Sequence, residues 1–438
     1  MNENLSVVYE DLKKFIAEHP GIALAANGVS VPRDVRPEFY RYFNAMRATF
    51  IKEYFSSEAE KAFAIGDAYT NISKLVQQDM NLEAIEISGN LSEFLQDPLL
   101  SLAGALFGPL FGLLQGKITE AAFVLEAQKT VKAFFNQLFC EGYNRWGTIS
   151  LLHLLGPNYL WSGTPRDLDS DPHTYTEFYP GFEDDVPELR QECRLSFAYI
   201  SKASFVMPDV LVQTKRLNAY VSLKSHWYDV RWKAKVLNEN LEWLDLHQLA
   251  GKFGWQRPNM TIHLARESAD ELKLLSDYYQ MARPDMLLEF METDDWYYSQ
   301  HVKHIILKHQ MFNPRLGSYV ISRVDVPSEA FAPPEEVPAA QLQPLTDSTI
   351  TPVTEESQQE ARIATATDET RNPVAAPISS PQKAHPMDLA HLPNNIHVIN
   401  AGYDTNALEP VVKALNQWLA LREQQANQEL SSGESLTT

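Results

Sequence analysis

A proline-rich stretch near the C-terminus divides the chain into a part that can fold and a part that cannot. Eleven of the 26 prolines fall within residues 327–393, among Ser, Thr, Glu, Gln and Ala. Such a stretch buries too little apolar surface to offset the entropy that a chain loses on folding. The sequence therefore predicts a folded body in residues 1–326, a disordered linker in residues 327–393, and a structured segment in residues 394–425. Residues 426–438 are predicted to be disordered.

The segment after the linker contains a predicted strand at residues 396–399 and a predicted helix at residues 408–421. The apolar side chains of this helix share one face and are Leu408, Val411, Val412, Leu415, Trp418 and Leu419. A lone helix of this length is only marginally stable in water. We therefore expect it to dock on the body, on a second copy of the chain in a homodimer, or on another protein.

The first part of the chain, residues 1–160, is predicted to be a mostly helical domain because apolar residues recur at helical spacing. Residues 98–114 carry no charge, but they are at the lower length limit for a membrane span and favour a buried helix or hairpin. An acidic, proline-rich loop is predicted at residues 161–188. The two cysteines and the absence of an apolar leader favour a cytoplasmic protein with no membrane contact.

Charge is distributed unevenly along the chain. The formal net charge is −20, which disfavours general attraction to nucleic acid. Within residues 201–235, however, seven bases stand against two acids. Five of these bases are Lys215, Arg216, Arg231, Lys233 and Lys235. Such a run is either a solvated face or a surface that binds a phosphate backbone.

Residues 189–326 alternate between strand and helix signals. The predicted strands lie at residues 195–201, 206–214, 218–224, 260–265 and 286–291, and the predicted helices lie at residues 230–251, 268–281 and 293–309. The second and third strands are close enough in sequence to form a hairpin. This order predicts a mixed α+β fold, with a mixed sheet flanked by helices.

The hairpin carries residues that could perform chemistry. Asp209 begins one strand, and Ser222 and Lys224 lie on its partner. An acid on one strand and a lysine on the next can meet on one face, and the two-residue period of a strand places Ser222 on that face too. Hydrolysis of a phosphodiester with a divalent metal needs a carboxylate to hold the ion and a cation near the phosphate.

These residues resemble the PD-(D/E)xK nuclease superfamily, to which many restriction endonucleases belong. The resemblance rests on Met207-Pro208-Asp209 and Ser222-Leu223-Lys224, followed by a helix and a strand. It implies a restriction-endonuclease-like fold for residues 189–326 and a metal-dependent DNA endonuclease that uses Mg²⁺. It further implies that Asp209 is a metal ligand, that Lys224 lies at the scissile phosphate, and that the basic run binds DNA.

The chain departs from the superfamily at Ser222, where the second acid is expected. Some members carry Ser-x-Lys and take the missing carboxylate from the following helix, fourteen residues past the lysine. That position is Asn238 here, and Glu239 follows it. Three alternatives remain open: Glu239 is the second metal ligand in a shifted register, the ligand comes from elsewhere, or the site is inactive.

A second hypothesis treats the chain as a non-catalytic scaffold or adaptor. It would keep a nuclease-like fold and recruit a partner assembly through the C-terminal helix. The acidic net charge, the serine at position 222 and the tethered helix favour this hypothesis. Pro284-Asp285 with Glu289 repeats part of the nuclease motif but lacks the lysine, so it predicts an ordinary core strand.

Overall fold

The computed structural model describes residues 3–25, 28–163, 189–191, 193–197, 209–225, 243–245, 258–266, 275–276, 280–298, 301–327 and 392–433. The described residues up to Val326 and from Leu392 onward belong to one folded unit. The fold is mixed α+β with a helical N-terminal region, as the sequence predicts.

Helices dominate the first 155 residues. They are α1 (Glu3–Glu18), α2 (Arg36–Tyr54), α3 (Ser56–Met80), α4 (Gly89–Gln96), α5 (Pro98–Gly104), α6 (Phe107–Leu114) and α7 (Glu120–Leu155). Three short strands lie among them, β1 (Ala23–Ala25), β2 (Gly28–Ser30) and β3 (Ala84–Glu86). The uncharged residues 98–114 form the two short helices α5 and α6, and no helix in the described part is long and apolar enough to cross a membrane.

Helix α7 connects the helical region to the central sheet. Its N-cap is Thr119, whose hydroxyl accepts a hydrogen bond from the Ala122 amide at 3.2 Å. It ends at Gly156, which has a φ of 57°, a left-handed conformation that glycine adopts without strain. Pro157 cannot extend the helix and begins the next strand. This strand, residues 157–163, therefore occupies the end of the predicted helical domain, which runs to residue 160, and the start of the predicted acidic loop at residue 161.

In the part of the chain that the structure describes, the central sheet has eight strands. They are β4 (Pro157–Gly163), β5 (Leu189–Gln191), β7 (Val210–Thr214), β8 (Ala219–Lys224), β10 (Met260–Ala265), β13 (Met286–Met291), β14 (Ser318–Ser322) and β15 (Ile396–Asn400), in the order β15-β14-β13-β10-β8-β7-β4-β5. The pairs β13–β14 and β14–β15 are parallel, and the others are antiparallel. Helix α8 (His301–Phe312) connects the parallel pair β13 and β14. The mixed sheet and the predicted hairpin are confirmed.

One face of this sheet is apolar and packs on the helical region. Val221, Ile262 and Leu288 are buried there in the same core as the side chains of α7. The approach is close at Gly147 of α7, where a Cβ atom would lie 2.1 Å from the Phe290 ring. A glycine is therefore required for the helix to lie this near to β13.

The C-terminal segment returns to the body. After β15, a 3₁₀ turn (Thr405–Leu408) leads into helix α9 (Glu409–Gly433). Five of the six predicted docking side chains are fully buried, Leu408, Val411, Val412, Leu415 and Leu419, and Trp418 packs against the same core. We expected this helix to dock on the body, on a second copy of the chain or on another protein. In the structure it docks on the body of its own chain. Helix α9 also continues to Gly433, well into the stretch that the sequence predicts to be disordered.

Several sequence-based elements differ from the structure. Within the predicted helix at residues 268–281, the structure has two short strands, β11 (Leu275–Ser276) and β12 (Gln280–Ala282). Within the predicted helix at residues 230–251, it has the strand β9 (Trp243–Asp245). The helix prediction is wrong at these residues. These three strands pair with one another in a small sheet of order β11-β12-β9. Strand pairing between distant segments overrides the local helical pattern here, because the pattern indicates only a local propensity and does not show which strand a segment will pair with.

Two further boundaries also change. The predicted strand at residues 195–201 is observed as β6 (Arg194–Ser196), and it pairs in parallel with β3 of the helical region instead of joining the central sheet. The predicted helix at residues 293–309 begins only at His301, after a 3₁₀ turn (Trp296–Tyr298). Residues 164–188 of the predicted acidic loop and residues 328–391 of the predicted linker lie outside the described residues.

Candidate active site

The hairpin of β7 and β8 positions the predicted catalytic residues. Leu211 is paired with Ser222, and the amide of Asp209 donates to the Leu223 carbonyl at 3.0 Å. The ladder therefore extends to Asp209, just before β7 begins. Because Lys224 ends β8, both residues lie at the open end of the hairpin, away from its turn.

Asp209 and Lys224 form a buried ion pair. The Lys224 Nζ donates to Asp209 Oδ1 at 3.0 Å, and the two side chains are 1% and 6% exposed. Burial lowers the pKa of Lys224, and the neighbouring Asp209 carboxylate opposes that shift. Moving a lysine ammonium out of water costs several kcal/mol unless a nearby opposite charge compensates for the lost hydration. The predicted meeting of these two residues on one face is therefore present in the fold.

Ser225 and Arg145 extend the hydrogen-bonded group around Asp209. Asp209 Oδ2 accepts a bond from the backbone amide of Ser225 and a second bond from its hydroxyl, the latter at 3.0 Å. The Ser225 hydroxyl in turn accepts from Arg145 Nη1 at 3.2 Å. Arg145 lies on α7 and is buried, with its guanidinium 4.6 Å from the centre of the Phe197 ring. The site thus combines strand and helix residues.

Polar residues continue from this pair across the sheet. Lys224 is paired with Thr261, and Ser222 is paired with His263, so these four side chains share a face that we call the polar face. All four are buried. The hydroxyls of Ser222 and Thr261 have no hydrogen-bond partner in the part of the chain that the structure describes. Most buried hydroxyls in proteins have a hydrogen-bond partner, so these two stand out on the polar face, although buried hydroxyls elsewhere, such as that of Tyr143 in the helical region, are alike in this respect.

Glu289 on β13 lies on the same face, but too far away to share a metal ion with Asp209. Three strand spacings separate their strands, or about 14 Å at roughly 4.8 Å per strand. Glu289 instead accepts a hydrogen bond from Lys308 of α8 at 2.7 Å. Burial raises the pKa of Glu289, and Lys308 opposes that shift. Glu289 is therefore excluded as the carboxylate that replaces Ser222.

Asp285, the acid of the repeated Pro-Asp motif, has a structural role. Its carboxylate accepts from the Leu264 amide at 2.8 Å, from Arg315 at 3.1 Å and from Trp418 at 3.2 Å. It joins three separate parts of the fold, including the C-terminal helix. The prediction that this strand is an ordinary core strand agrees with its burial.

The structure separates the two described cations of the predicted DNA surface from the site. Lys215 and Arg216 lie in the turn of the hairpin, about six residues or roughly 20 Å along the strand from Asp209. Arg216 donates to the Leu154 carbonyl at 2.9 Å and forms an ion pair with Glu409 of α9. Arg231, Lys233, Lys235 and the predicted metal ligand Glu239 lie outside the described residues.

The described ranges hold no group of three or more His, Cys, Asp or Glu side chains that could bind a metal ion. Mg²⁺ commonly binds through one or two carboxylates, with water and substrate phosphate oxygens as its remaining ligands. Asp209 is a carboxylate of this kind. Its Oδ1 accepts from Lys224 and its Oδ2 from Ser225, and its role as a metal ligand stays a prediction.

Sequence reasoning missed Arg145 and gave Ser225 no role. One signal could have identified Arg145, because it is the only Asp, Glu, Lys or Arg within residues 142–155, the mostly apolar end of α7. Arginine is rarely buried without a specific partner. Its partner could not be read from the sequence, since Arg145 and Ser225 lie 80 residues apart.

The comparisons with known proteins give no further guidance. No protein family, curated protein or solved structure matches this chain. The mixed α+β fold and the buried site are therefore described from the residues alone, and the resemblance to the PD-(D/E)xK superfamily stays a prediction.

The two cysteine thiols are expected to react at very different rates. Burial and the nearby Glu292 carboxylate raise the pKa of Cys140 to about 12, whereas Cys193 is exposed. At pH 8 such a thiol is roughly one part in ten thousand thiolate, the reactive form. With Ellman's reagent we expect Cys193 to react first and Cys140 about a thousandfold more slowly. The Cys193→Ser variant should retain only the slow reaction, and two equally fast thiols would contradict this prediction.

Proposed function

We propose that this protein hydrolyses phosphodiester bonds of DNA with the help of a divalent metal ion, and that Asp209 and Lys224 form its active site. The observation that supports the proposal is the buried Asp209–Lys224 ion pair on neighbouring strands. A buried titratable group with a perturbed pKa and a specific charged partner is typical of functional sites.

Each residue of the site would have a role that follows from its side-chain chemistry. Asp209 would hold Mg²⁺, which supplies stabilisation of the negative charge that develops on the phosphate. Lys224 would donate from its Nζ to a phosphate oxygen at the scissile bond and offset the same charge. To do so it would exchange part of its contact with Asp209 for the substrate. The Ser222 hydroxyl would offer a neutral oxygen where the superfamily has a second carboxylate.

The role of DNA rests on the proposed chemistry and on the cations of residues 226–242, which lie outside the described residues. In the described part, the turn cations Lys215 and Arg216 are remote from Asp209. Arg216 binds Glu409 of the same chain. We therefore assign Arg216 to the docking of helix α9 and place neither residue at the site.

The adaptor hypothesis depended on a free apolar face of the C-terminal helix. In the structure that face is buried against the chain's own core, including Leu408, Val412 and Leu415. A partner that used this face would first have to displace the helix from its own body. The hydrolase is accordingly the function that the site supports best.

The test is cleavage of supercoiled plasmid and single-stranded DNA by the full-length protein with Mg²⁺ or Mn²⁺. We expect metal-dependent cleavage that falls by about a hundredfold or more in Asp209→Asn and in Lys224→Met, since each change removes one charge at nearly constant size. Matched controls are Asp11→Asn and Lys14→Met, exposed residues of α1 that should cleave like the wild type. Absence of cleavage by the folded wild type, or equal cleavage by Asp209→Asn, would overturn the proposal.

A further inference from the structure

Helix α7 reaches the candidate site through a directed chain of hydrogen bonds. Arg145 Nη1 donates to the Ser225 hydroxyl at 3.2 Å, and that hydroxyl donates to Asp209 Oδ2 at 3.0 Å. A serine hydroxyl has one hydrogen and two lone pairs. Because the guanidinium can only donate, the hydroxyl must accept from Arg145 and direct its own hydrogen toward the carboxylate.

This chain fixes the orientation of the Asp209 carboxylate. Oδ2 accepts from both the amide and the hydroxyl of Ser225, while Oδ1 faces Lys224. Rotation of the carboxylate about its Cβ–Cγ bond would break bonds to both oxygens. Its orientation is therefore fixed by Lys224 together with the amide and the hydroxyl of Ser225, and the orientation of that hydroxyl depends on the donor from Arg145.

Arg145 is held firmly enough to act in this way. It lies within the 36-residue helix α7, where it is buried beside the buried residues Tyr143 and Trp146. Its guanidinium stacks on the Phe197 ring at 4.6 Å. A planar guanidinium that is stacked and hydrogen bonded loses less freedom on binding than a lysine would.

We propose that Arg145 is a positioning residue of this site, which acts through the Ser225 hydroxyl to hold the Asp209 carboxylate ready for a divalent metal ion. The proposal rests on the metal-binding role proposed for Asp209. Residues that orient a metal ligand without touching the ion typically change metal affinity by 10- to 100-fold when they are removed. It also gives the helical region a part in the chemistry of the sheet.

The experiment is calorimetric titration of the full-length protein with Mn²⁺ alone, so that no cleavage is needed. We expect Arg145→Met and Ser225→Ala each to weaken Mn²⁺ binding by about tenfold. Because both changes interrupt the same chain, the double variant should bind about as tightly as either single variant. A merely structural role for Arg145 would not produce this lack of additivity.

The matched control is Arg47→Met. Arg47 is also buried in a helix and donates to a backbone carbonyl, that of Ala103, at 2.9 Å. Its loss should perturb stability while leaving Mn²⁺ affinity unchanged. Should Arg145→Met fail to fold, Ser225→Thr and Ser225→Ala decide the matter, since threonine keeps the hydroxyl and should keep most of the affinity.

The outcomes separate two kinds of failure. Normal Mn²⁺ affinity in Arg145→Met, or equal losses in Ser225→Thr and Ser225→Ala, would overturn the positioning role while leaving Asp209 as a metal ligand. No Mn²⁺ binding by the wild type, or wild-type affinity in Asp209→Asn, would overturn the metal role of Asp209 and the positioning role with it.

Discussion

Truncation after residue 327 is expected to leave a chain that does not fold, whereas replacement of residues 328–391 by a short flexible linker should leave it folded. The truncated chain lacks the edge strand β15 and the buried face of helix α9. Five side chains of that helix are 0–1% exposed. At about 1.5–3 kcal/mol for each buried apolar side chain, their loss amounts to at least about 7 kcal/mol. That is comparable to the whole stability of an ordinary domain, about 5–15 kcal/mol.

The internal replacement is feasible because the two ends of the removed stretch are near each other. The Val326 amide donates to Asn400 at the end of β15, so the linker has only to run back past β15 and the turn before it to Leu392. The eight residues from Asn400 back to Leu392 span at most about 26 Å at roughly 3.3 Å per residue. A linker of about twenty Gly and Ser residues has an average reach of about 25 Å.

Urea unfolding followed by circular dichroism measures both effects. The replaced chain should unfold cooperatively near the wild-type midpoint, and the truncated chain should show no cooperative transition. A truncated protein with a wild-type midpoint would show that the C-terminal segment adds nothing to the fold. In that case, the apolar face of α9 would again be available to a partner.

The sequence allows the β7–β8 hairpin to be predicted but not the surroundings of its ion pair. A two-residue period and a short turn fix which side chains share a face, so Asp209 and Lys224 can be placed together from local pattern alone. The same period indicates Ser222 as their neighbour. None of this required knowledge of the rest of the fold.

Contacts between distant segments could not be predicted in this way. An apolar face shows that the C-terminal helix must dock, but it does not show where. The hydrogen bond from Trp418 to Asp285, for example, joins residues that are 133 positions apart in the sequence. Likewise, helical spacing of apolar residues predicted helices at β9 and β12, where pairing with another strand decides the structure. The distance from Asp209 to Glu289 became measurable only once the strand order was known.

The Asp209→Ala variant is expected to be destabilised by about 3–5 kcal/mol, because it leaves Lys224 buried without its counter-charge. The double variant Asp209→Ala/Lys224→Met should be more stable than Asp209→Ala alone, since it removes the unpaired buried charge of Lys224. Urea unfolding at pH 7 measures each step of this cycle. The control is Glu10→Ala, which breaks an exposed ion pair with Lys13 and should cost less than about 1 kcal/mol.

The pH dependence of the same variants gives an independent check. Burial lowers the pKa of Lys224 below its ordinary value of 10.5, so the unfolded chain binds that proton more tightly than the folded chain. Stability therefore rises with pH from the lowered folded pKa up to 10.5, where the unfolded lysine also loses its proton. Without Asp209 to oppose the shift, the rise should be larger in Asp209→Ala than in the wild type, and it should be absent from the double variant. Equal slopes in all three proteins would show that Lys224 is solvated, and that the ion pair is not the buried centre of this site.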